Sequence, residues 1–181
     1  TKFILHYAKL AARLEMDALV IGVELATTSQ KPEEWRKIIA EVRKVYKGPI
    51  TYAANWDEAD KVTFWDALDW VGVQFFAPLS EKATPTYEEL VAGVKRHLTA
   101  YEAISDKYKK PIVFTESGYR STISSFIKPY VWPENLPEAQ RAYSEVSQAI
   151  AYAAFFNTIG QSSQVAGVYV WKWFSNVETD E

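Results

Sequence analysis

The chain has 181 residues, a formal net charge of −3 and no cysteine. This length fits one domain rather than two, and the near-neutral charge argues against a protein that binds nucleic acid. Without cysteine, and with two histidines, we expect no disulfide, no cysteine nucleophile and no bound metal. No apolar stretch reaches the ~18 residues of a membrane span. Aromatic residues make up 15% of the chain, which keeps a carbohydrate-stacking surface among the possible functions.

Helical patterns alternate with strongly apolar runs along the whole chain. The spacing of apolar residues predicts helices over residues 3–14, 32–46, 57–68, 86–109 and 138–159. The apolar runs predict strands over residues 18–25, 50–55, 70–76, 111–115 and 165–173. Because helix and strand alternate strictly, the sequence predicts an α/β protein with a parallel sheet and helical crossovers.

Two architectures fit this order of elements, a doubly wound sheet and a (β/α)8 barrel. No G-x-G-x-x-G, G-x-x-x-x-G-K-[ST] or G-x-S-x-G motif follows a strand, so the doubly wound alternatives lose their main support. Polar and aromatic residues instead follow the carboxyl ends of the strands, where barrels hold their active sites. A whole barrel needs about 250 residues and eight strands. Residues 1–181 are therefore predicted to be the C-terminal portion of a single (β/α)8 catalytic domain, which needs three further N-terminal strands for closure.

A glutamate ends each of two buried strands, Glu24 and Glu116. A carboxylate in such a place is costly unless it is paired or solvated in a cleft. In a barrel both side chains would face one pocket, as in glycoside hydrolases, where one carboxyl donates a proton and the other attacks or activates water. The alternative is a structural role, in which each glutamate pairs with an arginine such as Arg36 or Arg120. Two such glutamates, with tryptophans at further strand ends, favour the catalytic interpretation.

Five more residues are candidates for binding a sugar. Trp171 and Trp173 share one face of the last strand, and one of them could form the floor of a sugar subsite. Asn55 and Trp56 end the second strand and could bind sugar hydroxyls and stack on the ring. For Asn55 the alternative is a cap of the next helix. Tyr119 follows Glu116 closely and could hold it or contact the substrate.

Five segments together carry a resemblance to a known family. They are HYAKLAARLEMDALVIGVEL, PEEWRKIIAEVRKVYKGPITYAANW, FWDALDWVGVQFFAPL, KPIVFTESGYRS and VAGVYVWKW. The chain resembles glycoside hydrolase family 113, which contains retaining β-mannanases and related (β/α)8 enzymes. The resemblance implies that the chain holds barrel strands 4 to 8, with Glu24 as general acid/base, Glu116 as nucleophile and Trp171 as the strand-8 tryptophan. It also implies a substrate of β-linked hexoses, mannan first, and no cofactor.

Two positions depart from the pattern of that family's clan. Val23 precedes the predicted acid/base, where the clan commonly has a small polar residue. Phe76 lies in the stretch where the family tends to carry a tyrosine beside the nucleophile. These departures favour a second hypothesis, a non-catalytic barrel module that binds carbohydrate or a protein partner. In either case we expect residues 1–181 alone to be poorly stable and inactive, because the barrel cannot close.

Overall fold

The structure, a computed structural model, describes residues 1–172. Five strands form its sheet: β1 (Leu19–Val23), β2 (Ile50–Asn55), β3 (Val71–Phe75), β4 (Ile112–Ser117) and β5 (Val165–Val170). The helices are α1 (Lys2–Arg13), the single turn α2 (Ala26–Ser29), α3 (Pro32–Val45), α4 (Tyr87–Tyr108) and α5 (Glu145–Ile159). All five predicted strands are present, with small shifts at their ends, and most predicted helices lie close to their expected ranges.

Each strand pairs in parallel with the next one along the chain. The order in the sheet is β1-β2-β3-β4-β5, without a reversal. A doubly wound sheet reverses its strand order at a switch point, whereas a barrel adds its strands in sequence. The observed order therefore excludes the doubly wound alternative and is that of a contiguous sector of a barrel.

The main core lies between the sheet and its helices. Phe75 and Phe114 from neighbouring strands meet edge to face at 5.2 Å, and both contact Phe155 of α5. Tyr101 of α4 closes the same cluster. Aromatic rings in this geometry bury a large apolar area and fix the helices against the sheet. Among residues 1–172, none of the helices is both long and apolar enough to cross a bilayer.

The first and last strands of this sheet are more exposed than the middle ones. Every residue of β3 is buried, whereas Val20 of β1 is 42% exposed and Tyr169 of β5 is 62% exposed. Exposed apolar edges of a sheet invite further pairing. The prediction of additional closing strands, made from the strand count, agrees with this exposure.

The predicted helix over residues 57–68 is wrong. Two separate turns of 3₁₀ helix, Ala59–Lys61 and Trp65–Ala67, occupy this segment. The indole N–H of Trp65 donates to the carbonyl of Ala59 at 2.9 Å. That carbonyl would otherwise accept from an amide one α-helical turn later. The free energy gained by burying Phe64 and Trp65 against the sheet therefore outweighs the hydrogen bonds of a regular helix.

The last helix begins later than the predicted range of 138–159. It covers Glu145–Ile159, because Glu138–Gln140 form a separate 3₁₀ turn and Ser144 is extended. Thr122 and Tyr143 form an isolated antiparallel bridge, which ties this segment to the loop after β4. The Ser144 hydroxyl then accepts from an amide of the first turn and caps the helix. Long-range pairing of this kind leaves no trace in the local apolar spacing.

Candidate active site

A bulge in β4 determines which side chain faces the end of the barrel. Val73 of β3 pairs with Phe114, but the next residue, Gln74, pairs with Glu116. Thr115 is thus the extra residue in the ladder, and it shifts the alternation of the strand by one position. Without this bulge, Glu116 would not lie opposite Gln74.

A second bulge precedes Glu24. Val20 pairs with Thr51 and Val23 with Ala53, so β1 has one more residue than β2 over this stretch. Glu24 then adopts a left-handed backbone conformation, with φ of 53°, and its amide donates to the carbonyl of Ala53 at 3.0 Å. Bulges and positive φ at a non-glycine residue are typical of segments that aim a functional side chain. Both predicted catalytic glutamates therefore follow irregular strand ends.

Glu116 is half-buried, and one side chain among residues 1–172 donates a hydrogen bond to its carboxylate. The side-chain amide of Gln74 donates to Glu116 Oε1 at 2.6 Å. Gln74 itself is 2% exposed, and its own carbonyl oxygen has no hydrogen-bond partner among residues 1–172. Phe76, which stands where the family tends to carry a tyrosine, cannot donate a hydrogen bond to Glu116. The Gln74 amide supplies this hydrogen bond instead.

The Glu24 carboxylate acts electrostatically on Glu116. Burial raises the pKa of the Glu116 carboxyl, the Gln74 hydrogen bond opposes this rise, and the Glu24 carboxylate adds to it. A neighbouring carboxylate has this effect only when it lies close enough to act through space. Glu24 is exposed to solvent at its strand end. The two glutamates thus lie close enough to interact electrostatically, although Glu116 is half-buried and Glu24 is exposed.

Neither arginine considered in the structural alternative binds these glutamates. Arg36 forms a bidentate pair with Asp66, at 2.7 and 2.8 Å. Arg120 Nη1 lies against backbone carbonyl groups instead. Over the described part of the chain, no ion pair involves either glutamate. The structural alternative therefore has no support from residues 1–172.

Asn55 and Trp56 lie where the sequence predicted them, at the carboxyl end of β2. Asn55 pairs in register with Gln74, and its side-chain amide donates to Glu58 at 3.2 Å. The backbone carbonyl of Asn55 also accepts from the backbone amide of Glu58, so Asn55 stabilises the turn after β2. Trp56 is half-buried and stacks on Tyr130 with 6.0 Å between ring centroids. The structural and binding roles of Asn55 can coexist, because its side chain is not fully buried.

Arg120 organises the loop that presents Tyr130. Its Nη1 lies 2.5–2.9 Å from the carbonyl oxygens of Lys128, Pro129 and Val131. Burial lowers the pKa of this guanidinium. Three carbonyl groups around one cation fix the backbone on both sides of Tyr130. The loop thereby holds an aromatic wall beside Trp56.

The remaining predicted residues have different surroundings. Trp171 is 47% exposed, its amide donates to the Ser117 carbonyl at 2.8 Å, and a cis peptide bond joins it to Lys172. Tyr119 is 4% exposed and packs edge to face on Tyr152, so its ring faces the core and cannot stack on a sugar in solvent. Trp173 lies outside the described residues.

Gln74 and Tyr130 are the site residues that sequence reasoning did not assign. The only signal for Gln74 is a polar residue within an apolar strand, and for Tyr130 an aromatic residue in a long loop. No set of three or more histidine, aspartate or glutamate side chains within residues 1–172 could hold a metal ion. The chemistry available to this site is therefore that of two carboxyl groups, an amide and aromatic faces.

Comparison with known proteins identifies the family. The model of Glycoside Hydrolase Family 113 matches residues 1–181. Two solved structures of a GH113 beta-1,4-mannanase share 31% identity with the chain, with TM-scores of 0.81 and 0.82. The GH113 beta-mannanase AaManA from Alicyclobacillus acidocaldarius, in complex with ManMIm, shares 26% identity with a TM-score of 0.81. In each case the alignment covers 95% of this chain and 50% of the mannanase.

The Bifidobacterium dentium beta-glucuronidase, at 14% identity and a TM-score of 0.63, shares only the fold. No curated protein matches the sequence significantly. The five-stranded parallel sheet is thus part of a (β/α)8 barrel, and the chain spans about half the length of the mannanases that it matches. On the match of the family model along the entire sequence, the chain belongs to Glycoside Hydrolase Family 113.

Proposed function

We propose that residues 1–181 form the C-terminal portion of the catalytic domain of a retaining glycoside hydrolase that cleaves β-linked mannan. The observation that carries this proposal is the pair Glu24 and Glu116, at the carboxyl ends of β1 and β4, unpaired with any cation in the described chain and electrostatically coupled. The solved structures of similar sequence are β-mannanases, which supports mannan as the substrate. Apart from the sequence departures at Val23 and Phe76, nothing in residues 1–172 favours the non-catalytic alternative.

Glu116 acts as the nucleophile in this proposal. Its ionised oxygen attacks the anomeric carbon, and the bond from that carbon to the leaving oxygen breaks. Glu24 donates its proton to the leaving oxygen in the same step. Water then attacks the anomeric carbon, Glu24 takes a proton from it, and Glu116 leaves as carboxylate. The Gln74 amide favours the ionised state that Glu116 needs before the first step.

Aromatic residues around the pair hold the sugar chain. Trp171, half-exposed at the end of β5, stacks on the sugar next to the scissile bond. Trp56 and Tyr130 form a wall at the end of β2, where Asn55 donates to a sugar hydroxyl. For Trp173 the same sugar-stacking role stays a prediction from sequence.

The test of this proposal compares three single variants of the full-length protein. Glu116→Gln and Glu24→Gln each remove one carboxylate, and Glu41→Gln removes a carboxylate that pairs with Lys44 on α3, away from the site. We expect the first two variants to lose mannan hydrolysis by roughly 10³-fold or more, and the third to keep it. NMR of the first products should show retained β configuration. Full activity in Glu116→Gln would refute the proposal.

The half-length match supports the proposal that N-terminal strands complete this barrel. Fusing the N-terminal half of a β-mannanase of 31% identity in front of Thr1 would cover the exposed edge of β1. We expect residues 1–181 alone to lack activity and to melt at a lower temperature than the fusion. The fusion should be active. A cooperative high-temperature melt and full activity of residues 1–181 alone would contradict this.

A further inference from the structure

The backbone of Glu24 is held in place by two consecutive residues of β2. Glu24 has a φ of 53°, a conformation that non-glycine residues rarely adopt without support from their surroundings. On its N-terminal side, its own amide donates to the carbonyl of Ala53. On its C-terminal side, the amide of Leu25 donates to the phenolic oxygen of Tyr52 at 2.7 Å. The peptide that leaves Glu24 is therefore fixed by a side chain.

The ring of Tyr52 cannot shift to follow a change in this loop. It is fully buried and packs edge to face on Trp35 at 5.2 Å and on Phe64 at 5.7 Å. Gly22 of β1 lies directly against it, since a Cβ at Gly22 would come within 2.5 Å of Trp35 and 3.0 Å of Tyr52. The phenolic oxygen is thus a rigid acceptor at a set distance from β1.

The Tyr52 hydroxyl also stays neutral. Burial raises the pKa of Tyr52, and the charges of Glu58 and Glu24 act in the same direction, while the Leu25 amide opposes them. Within residues 1–172 no hydrogen bond joins the two side chains, and Tyr52 packs with Trp35 of α3 on the helix side of the sheet. The direct contact of Tyr52 with the Glu24 segment is therefore the hydrogen bond from the Leu25 amide.

We propose that Tyr52 is a positioning residue for Glu24, whose hydroxyl sets the direction of the carboxyl that protonates the leaving oxygen. This inference rests on the proposed role of Glu24 as general acid/base. It assigns to a buried residue of β2 a part in one step only, the proton transfer at the end of β1. Nucleophilic attack by Glu116, which lies on β4, does not depend on it.

The experiment measures how the reaction rate depends on the leaving group. Aryl β-mannosides with a poor leaving group need the proton of Glu24, whereas 2,4-dinitrophenyl β-mannoside departs without it. In the full-length protein, we expect Tyr52→Phe to lower kcat/KM by roughly 10- to 100-fold on the former, because a misplacement of about 1 Å can cost 10²-fold. On the latter we expect less than about threefold loss.

Tyr46→Phe is the matched control. Tyr46 is also buried, and its hydroxyl donates to the Met16 carbonyl at 2.7 Å, at the opposite end of β1 from Glu24. We expect this variant to change kcat/KM on both substrates by the same small factor. If Tyr52→Phe lowers kcat/KM on the two substrates by the same factor, as expected for Tyr46→Phe, the inference is overturned.

A second measurement separates this inference from the proposed function and from a loss of folding. Incorporation of 3-fluorotyrosine at Tyr52 keeps the ring and weakens its oxygen as an acceptor, so it should change the ratio of the two rates in the same direction as Tyr52→Phe. Glu24→Gln should show the leaving-group effect more strongly. If Glu24→Gln lacks the effect, the proposed function fails; if Glu24→Gln has it and both changes at Tyr52 lack it, only the role of Tyr52 fails.

Discussion

Replacing Gln74 by leucine should reduce catalysis while leaving stability almost unchanged. Gln74 donates to the Glu116 carboxylate, and a hydrogen bond to a charged group contributes about 1.5–3 kcal/mol. The other end of the same amide, its carbonyl oxygen, is buried without a partner in residues 1–172, which costs about 1–3 kcal/mol. Leucine removes both contributions. Since they have opposite signs, we expect the free energy of unfolding to change by about 1 kcal/mol or less.

Activity should respond differently, because the amide stabilises the ionised form of Glu116, the proposed nucleophile. The Gln74 hydrogen bond lowers the pKa of Glu116 against the effect of burial. Without it, Glu116 holds its proton to higher pH, so the acidic limb of the kcat/KM profile should move to higher pH. We expect a loss of roughly 10-fold in kcat/KM near neutral pH, with the same substrate order.

The assay combines a pH profile of kcat/KM on mannan oligosaccharides with urea unfolding. Gln164→Leu is the control, because the Gln164 amide likewise donates to a carboxylate, Asp106, at 2.7 Å, just before β5 and away from the site. That variant should leave the profile unchanged. An unshifted acidic limb in Gln74→Leu, or a stability loss well above 2 kcal/mol, would refute the reasoning.

Three further predictions concern the same end of the sheet. Burial raises the pKa of the Glu116 carboxyl above its value in the unfolded chain. The contribution of Glu116 to stability is therefore greatest below the unfolded pKa and is lost as pH rises. We expect the melting temperature of Glu116→Gln to exceed that of the wild type at pH 7 but not at pH 3. Arg120→Met removes the cation that contacts these three carbonyls and should raise KM for long oligosaccharides several-fold, with kcat on short ones unchanged, in steady-state kinetics. Gly118→Ala should lose about 2 kcal/mol or more in urea unfolding, because its Cβ would overlap the Trp171 carbonyl.

The parallel sheet could be predicted because its signal is local. Continuous apolar runs such as residues 50–55 and 70–76 indicate strands buried on both faces, and the helical patterns between them require parallel crossovers. The positions of Glu24 and Glu116 at strand ends follow from the same runs. The sequential strand order confirms the barrel that the sequence favoured over a doubly wound sheet.

The finer geometry of the site depends on contacts between distant residues. The bulge at Thr115 is a property of how β3 and β4 pair, and nothing in either strand alone predicts it. The same holds for Tyr130, which stacks on Trp56 from a loop whose carbonyls Arg120 contacts. The false helix over residues 57–68 shows the converse, since buried aromatic rings there outweigh a local helical preference.

The arginine-anchored loop has a consequence for how an enzyme with the proposed function can diversify. Glu116 is carried by a strand, whereas the aromatic wall is carried by a loop that Arg120 holds. Under the proposed function, substitutions or length changes beyond Arg120 would alter which sugars are bound without moving the two carboxylates. The residues proposed for the reaction and those proposed for substrate choice thus lie in separate parts of the chain, so new specificities can arise by mutation while the barrel keeps its chemistry.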